Sequence, residues 1–243
     1  LAPDQRSVIE EIIAGFVNSE SGYIFQDGRL FLTKNGGTDW QDITPQDLSG
    51  KKVNAIEFIS SENGFILFST SDPNFDQSFS LAHTNDGGQT WTIKPLNLPF
   101  ADDQVMNYER ASLDFLDLNQ GWISLKVTSS SNFSIGVLFV TKDGGDSWAL
   151  ETIPLGEPVQ FISESIGWVA GGPAGNQLYR SNDGGKSWKQ IELPELLNFE
   201  HIKIEPPRFF DPLIGWLPVF VANGNSTRII VFSTTDGGVH WSM

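Results

Sequence analysis

Apolar positions along this chain fall in short runs separated by turn residues. The stretch from Val53 to Ile93 shows the pattern most clearly. Val53–Ile59 is apolar-rich and ends at Ser60-Ser61-Glu62-Asn63, a turn composition. Phe65–Ser69 and Phe79–Thr84 follow as two further strands. Asp86-Gly87-Gly88 turns the chain into a fourth, Thr90–Ile93. No segment sustains a 3.6-residue period. Gln5–Ile13 invites a short helix, but five of its residues match the approach to the first phenylalanine of a repeat, so it is read with the strands. The pattern predicts an all-β protein.

Two elements recur five times. One is an eight-residue box: Thr33 to Trp40 (TKNGGTDW), Thr84 to Trp91 (TNDGGQTW), Thr141 to Trp148 (TKDGGDSW), Ser181 to Trp188 (SNDGGKSW) and Thr234 to Trp241 (TTDGGVHW). The other precedes it: Phe, five residues, Gly, then an aromatic. Its copies are Phe16…Gly22-Tyr23, Phe58…Gly64-Phe65, Phe115…Gly121-Trp122, Phe161…Gly167-Trp168 and Phe209…Gly215-Trp216. The spacing is six within every copy, whereas successive phenylalanines stand 42, 57, 46 and 48 apart. Strict motifs joined by loose connections describe blades with variable loops. Four strands and roughly 45 residues per unit are the size of a propeller blade.

The fold class is therefore a β-propeller of five four-stranded antiparallel blades, a single domain over 1–243 with blades near 8–44, 53–96, 110–153, 158–193 and 201–243. The fifth blade reaches only Trp241-Ser242-Met243, short of most of an outer strand. Ser7–Glu11 is the expected donor of the closing strand; the alternative is a fragment of a larger propeller.

Turn chemistry explains the box. An Asp side chain accepts hydrogen bonds from backbone amides two residues on, as in an Asx turn, and so holds a tight turn. The glycine pair supplies positive φ. The Ser or Thr at the seventh place bonds back into the turn. The expected turn residues are Asn35, Asp86, Asp143, Asp183 and Asp236. The expected buried rings are Trp40, Trp91, Trp148, Trp188 and Trp241, each covering on the order of 200 Å². An acidic residue repeated in every blade is a structural device, since one site does not need five copies. Asn35 fits this reading, because an amide holds a turn and makes a poor general acid. The first and last boxes, with Asn35, Asp39 and His240, are expected to be held less tightly.

These boxes resemble the Asp boxes, or bacterial neuraminidase repeats, of sialidases, sortilin-type receptors and some glucanases. The added Phe-x5-Gly-Trp element resembles the photosystem II stability and assembly factor branch of those propellers. The resemblance runs from Ile12 to Trp241, and it speaks for the fold more than for the function. It implies a scaffold that binds protein during assembly of a complex. The photosystem branch also implies an arginine-rich patch, whereas this chain has six arginines.

Charge narrows the partners. Fifteen basic and 30 acidic residues give a net charge of −15. Residues 1–121 carry 7 basic and 18 acidic side chains, residues 122–243 carry 8 and 12. Such a surface repels phosphate backbones, so nucleic acid is not an expected partner. No apolar run reaches membrane-span length. There is no cysteine, hence no disulfide, thiol nucleophile or thiolate metal site. The first residue is Leu1, which fits a processed, extracytoplasmic chain whose secretion signal has been removed.

A search for chemistry marks no catalytic, cofactor-binding or metal residue. Sialidases need an arginine triad, a Tyr–Glu nucleophile pair and an Asp acid; their Arg-Ile-Pro signature is absent. Tyr108-Glu109-Arg110 groups tempting side chains, but neighbours in a strand point to opposite faces. His83, His201 and His240 show no metal spacing. Asn132-Phe133-Ser134 and Asn225-Ser226-Thr227 are glycosylation sequons. Both repeated motifs join strands one to two and three to four, so they share one face. Sites are expected on the other face, among variable connections such as Ile153–Pro158 and Ser129–Phe133. The longest, Pro95–Arg110, holds the candidate contact residues Phe100, Asp102, Asp103, Tyr108 and Arg110. The expected partner is a protein, with a glycan as the alternative.

Overall fold

The computed structural model describes residues 12–72, 75–98, 108–128, 134–224 and 226–243. Ser7–Glu11, the expected closing strand, lies outside the described residues. The fold is a β-propeller of five four-stranded antiparallel sheets. The chain divides into two compact units, Leu1–Pro95 and Leu96–Met243.

The first unit holds two blades. Blade 1 runs β1 (Ile13–Phe16), β2 (Gly22–Gln26), β3 (Arg29–Thr33) and β4 (Gln41–Asp42). Blade 2 runs β5 (Lys52–Phe58), β6 (Gly64–Asp72), β7 (Phe75–Thr84) and β8 (Thr92–Pro95). The second unit holds three. Blade 3 is β9 (Tyr108–Phe115), β10 (Gly121–Val127), β11 (Ile135–Thr141) and β12 (Ala149–Glu151). Blade 4 is β13 (Val159–Phe161), β14 (Gly167–Gly171), β15 (Gln177–Ser181) and β16 (Lys189–Gln190). In blade 5 the first strand is split into β17 (His201–Ile204) and β18 (Arg208–Phe209), both paired with β19 (Gly215–Asn223), which pairs with β20 (Ser226–Thr234). The break falls at Pro206-Pro207, two residues without an amide hydrogen to give to the ladder. The outer position of this blade is a single bridge, Ser233 to Ser242.

Register explains the motifs. Phe161 pairs with Gly167, which pairs with Ser181, and the same Phe–Gly–Thr row crosses the other blades. The glycine is there because the phenylalanine ring lies over it. A Cβ at Gly167 would stand 2.3 Å from the Phe161 ring, and one at Gly64 would stand 2.5 Å from Phe58. The turn between them is pinned by its second residue. Asp117 Oδ1 accepts the amides of Asn119 and Gln120 at 2.7 and 2.8 Å; Asn18, Ser60, Ser163 and Asp211 do likewise. The first glycine of each box then donates to a carbonyl of that turn, as Gly87 does to Glu62 at 2.8 Å and Gly144 to Asn119 at 2.9 Å. Both motifs thus occupy the same end of each sheet.

The cores lie between blades within each unit. Leu30, Leu32 and Ile43 of blade 1 meet Ile56, Phe58, Ile66 and Phe68 of blade 2. Trp122 and Leu138 of blade 3 meet Phe161 and Val169 of blade 4. Trp168 and Leu178 meet Leu217, Val219 and Phe232 of blade 5. One expectation is corrected here. Of the five box tryptophans only Trp148 is buried; Trp40 is exposed and Trp91, Trp188 and Trp241 are half-buried. Phe65, Trp122 and Trp168, the residues after the repeat glycine in blades 2, 3 and 4, are fully enclosed.

Candidate functional site

At the motif end, every box carboxylate is engaged. Thr141 Oγ1 donates to Asp143 Oδ1 at 2.8 Å and accepts the Gly145 amide at 2.9 Å. Asp143 in turn accepts the Ser147 amide at 2.8 Å and the Ser147 hydroxyl at 2.6 Å. Asp86 with Thr90 and Asp183 with Ser187 repeat the arrangement. The amide partner stands four residues on, not the two expected from the Asx turn. The buried Thr or Ser opening the box, to which sequence reasoning gave no role, joins carboxylate to glycine.

The two odd boxes rebuild the bond with other chemistry. Asn35 Nδ2 donates to Asp39 Oδ2 at 2.9 Å, and Asn35 Oδ1 accepts the Asp39 amide at 2.9 Å. Asp236 Oδ2 lies 2.7 Å from His240 Nδ1. The expected loosening of these turns is not visible in their bonding. The Thr90 hydroxyl and amide hold the Asp86 carboxyl down to about 2, and the Ser147 and Ser187 hydroxyls lower Asp143 and Asp183. The His240 amide lowers Asp236 first, with its ring second. Groups so deeply ionised hold turns well and cannot serve as proton donors near neutral pH.

Two box tryptophans tie blades at their rims. Trp91 Nε1 donates to Ile43 O of the preceding blade at 2.9 Å, and Trp188 Nε1 to Thr152 O at 3.0 Å. Trp148 Nε1 closes on Gly145 O of its own box at 3.2 Å.

The opposite end of blade 3 is different. β9 begins at Tyr108, and Arg110 projects beside the connection to blade 4. Arg110 Nη2 pairs with Glu157 Oε2. Glu157 Oε1 accepts from Ser134 Oγ at 2.9 Å and stands 3.7 Å from Lys126 Nζ. Lys126 also lies 3.4 Å from Glu109 Oε2. Glu157 is largely enclosed while the Arg110 side chain is half exposed. The result is a guanidinium anchored on one side and open to solvent on the other, a shape suited to carboxylates and peptide carbonyls. Tyr108 and Arg110 therefore share this end of β9, while Phe100, Asp102 and Asp103 lie outside the described residues. Sequence reasoning named the segments that supply Glu157 but missed Glu157, Ser134 and Lys126 themselves; only three-dimensional pairing reveals them.

A second overlooked group sits in the seam between blades 3 and 4. Asp114 Oδ2 accepts the Phe161 amide at 2.6 Å. Burial pushes this carboxyl up to about 7, against the lowering effect of that amide. His83 stacks on Phe65, with centroids 4.8 Å apart, and its burial lowers its pKa. Among the described residues no group of three or more His, Asp or Glu could hold a metal ion. Among the same residues no helix is long and apolar enough to cross a membrane.

No family model matches the chain. It is similar to the photosystem II assembly lipoprotein Ycf48 of Synechococcus sp. (strain CC9902), 30% identical over 139 residues, which cover 55% of this chain and 35% of that protein. It is also similar to the chloroplastic photosystem II stability/assembly factor HCF136 of Arabidopsis thaliana, 31% identical over 113 residues, covering 40% of this chain and 27% of the relative. The matches thus span about a third of the curated relatives. Among solved structures, a PL25 ulvan lyase superposes on 96% of this chain and 68% of its own, with a TM-score of 0.55 and 10% identity. That likeness concerns the propeller fold.

Proposed function

We propose that this chain is a non-enzymatic, exported propeller that binds protein and acts as a scaffold in the assembly of a complex. The observation that carries the reading is the similarity to two photosystem II assembly factors, which gives assembly of photosystem II as the precedent. The bonding of the boxes supports it: the repeated carboxylates are held in turns and are unsuited to acid catalysis. In this reading the partner meets the Arg110 end of blade 3, where a half-exposed guanidinium is already oriented by Glu157. The location is extracytoplasmic, whether periplasmic, secreted or envelope-anchored; one relative is described as a lipoprotein.

The test is capture from the native envelope with cross-linking, comparing wild type with Arg110→Glu. A defined protein retained by wild type and lost in the variant supports the scaffold. No partner under cross-linking, together with a hit on a glycan array or a glycosidase substrate panel, replaces it with the rival reading of a carbohydrate-binding or sialidase-type propeller.

A further inference from the structure

Each unit contains the same bridge at its outer strands. Trp91 Nε1 donates to Ile43 O at 2.9 Å between blades 1 and 2, and Trp188 Nε1 donates to Thr152 O at 3.0 Å between blades 3 and 4. The two carbonyls therefore mark equivalent positions, and the residues around them can be compared. Two before the carbonyl, three after it, four after it and sixth in the box of the next blade stand Gln41, Gln46, Asp47 and Gln89 in the first unit. At those places the second unit has Leu150, Leu155, Gly156 and Lys186. Both sets accompany the same tryptophan bridge, so the bridge does not require the polar one.

In the first unit the four polar residues line a cleft of about 530 Å³ along β4, the connection after it and β8. That volume falls in the range of small-ligand sites, roughly 300–1,000 Å³. Every lining residue lies between Gln41 and Ile93, inside the first unit. Part of the lining is tightly packed: Ile43 is buried, and a Cβ on Gly88 would stand 2.6 Å from it. Trp91 forms another part, its indole fixed by the bond to Ile43 O and by an edge contact with Phe58 at 6.3 Å.

The polar groups are available. Gln41, Gln46 and Asp47 are exposed, and their side chains make no hydrogen bond or ion pair among the described residues. Gln89 spends its Nε2 on Asp86 O at 3.0 Å and keeps its side-chain oxygen. Asp42 is already engaged, one oxygen by Thr44 and the other by Arg29.

This set of groups selects a chemistry. A side-chain amide both donates and accepts, and a carboxylate accepts at two oxygens. Adjacent hydroxyls on a sugar ring match those groups, and an indole gives the apolar face of such a ring a surface to rest on. No lysine, arginine or histidine lines the cleft, and Asp47 adds a negative charge. Carboxylated, sulfated and phosphorylated ligands are therefore repelled. We propose that this cleft binds an uncharged sugar of a glycan, with Trp91 as the platform and Gln41, Gln46 and Asp47 as its hydrogen-bonding groups. The site shares no residue with the Arg110 group and does not rest on the scaffold reading.

An array of neutral, sialylated and sulfated glycans tests this, followed by calorimetric titration of the whole chain with the oligosaccharide of the strongest hit. Saturable binding to neutral glycans is expected. Trp91→Ala should weaken it at least ~30-fold, the effect of losing a hot-spot aromatic. That variant also loses the bridge to Ile43, so the exposed Gln46→Ala and Asp47→Ala carry the test if it fails to fold; each should weaken binding about fivefold. Arg110→Glu should bind the sugar as wild type does, whether or not it captures a protein. A blank array, binding that needs a charged sugar, or binding unmoved in both Gln46→Ala and Asp47→Ala overturns the proposal. Loss of sugar binding in Arg110→Glu overturns it too, by placing the sugar at the other group.

Discussion

Two seams in the second unit use the same repeat and come out differently. Between blades 3 and 4, Trp122 lies parallel to Phe161 at 3.7 Å and its indole N–H reaches Gly184 O at 3.1 Å. Between blades 4 and 5, Trp168 lies 5.9 Å from Phe209 at 27°, and its buried N–H finds no acceptor among the described residues. The neighbour makes the difference. Phe161 ends a continuous short strand, whereas Phe209 follows the Pro206-Pro207 break, which resets the strand and the ring it carries. A repeat position fixes the residue type; the adjoining blade fixes what that residue can do there.

The comparison can be broken by substitution. Trp122→Ala removes a fully enclosed ring and should cost about 3–5 kcal/mol in urea unfolding. Asp114→Asn sharpens the same seam. A carboxyl raised to about 7 stabilises the fold while protonated, and that contribution is lost as pH rises from its unfolded value through 7. Asn keeps an acceptor for the Phe161 amide without the charge. The variant should therefore gain on wild type from pH 4 to 8, by about 3 kcal/mol at the alkaline end, and a flat difference across that range would refute the assignment. Trp122→Phe should cost about 1–3 kcal/mol, since Gly184 O loses its donor. Trp168→Phe should fall within about 1 kcal/mol of wild type, because the N–H it removes is unpaired. Equal losses for the two tryptophan-to-phenylalanine changes would erase the contrast. The smallest effect belongs to Trp216→Ala, under about 1 kcal/mol for a half-exposed ring.

Much of this was legible in the sequence for a physical reason. The blade count rests on Phe-to-Gly and Gly-Gly-to-Trp spacings, which are local and repeat wherever the local geometry repeats. The turn chemistry of Asp86, Asp143 and Asp183 followed from the same locality. What stayed hidden depends on partners distant in the chain. The burial of Trp122 against the exposure of Trp216, the Asp114 bond to Phe161, and the Glu157 anchor for Arg110 all require knowing which sheet stands beside which. The Pro206-Pro207 break was visible as residues, but its effect on Phe209 needs the ladder.

The central claim is that the repeated motifs hold the fold and that partners meet the opposite end of the blades. A photo-cross-linking residue placed at Arg110, and in a second protein at Lys142 within the third box, tests it directly in native envelope extracts. The account predicts a discrete protein adduct from position 110 and none from position 142; an adduct from 142 with none from 110 would contradict it.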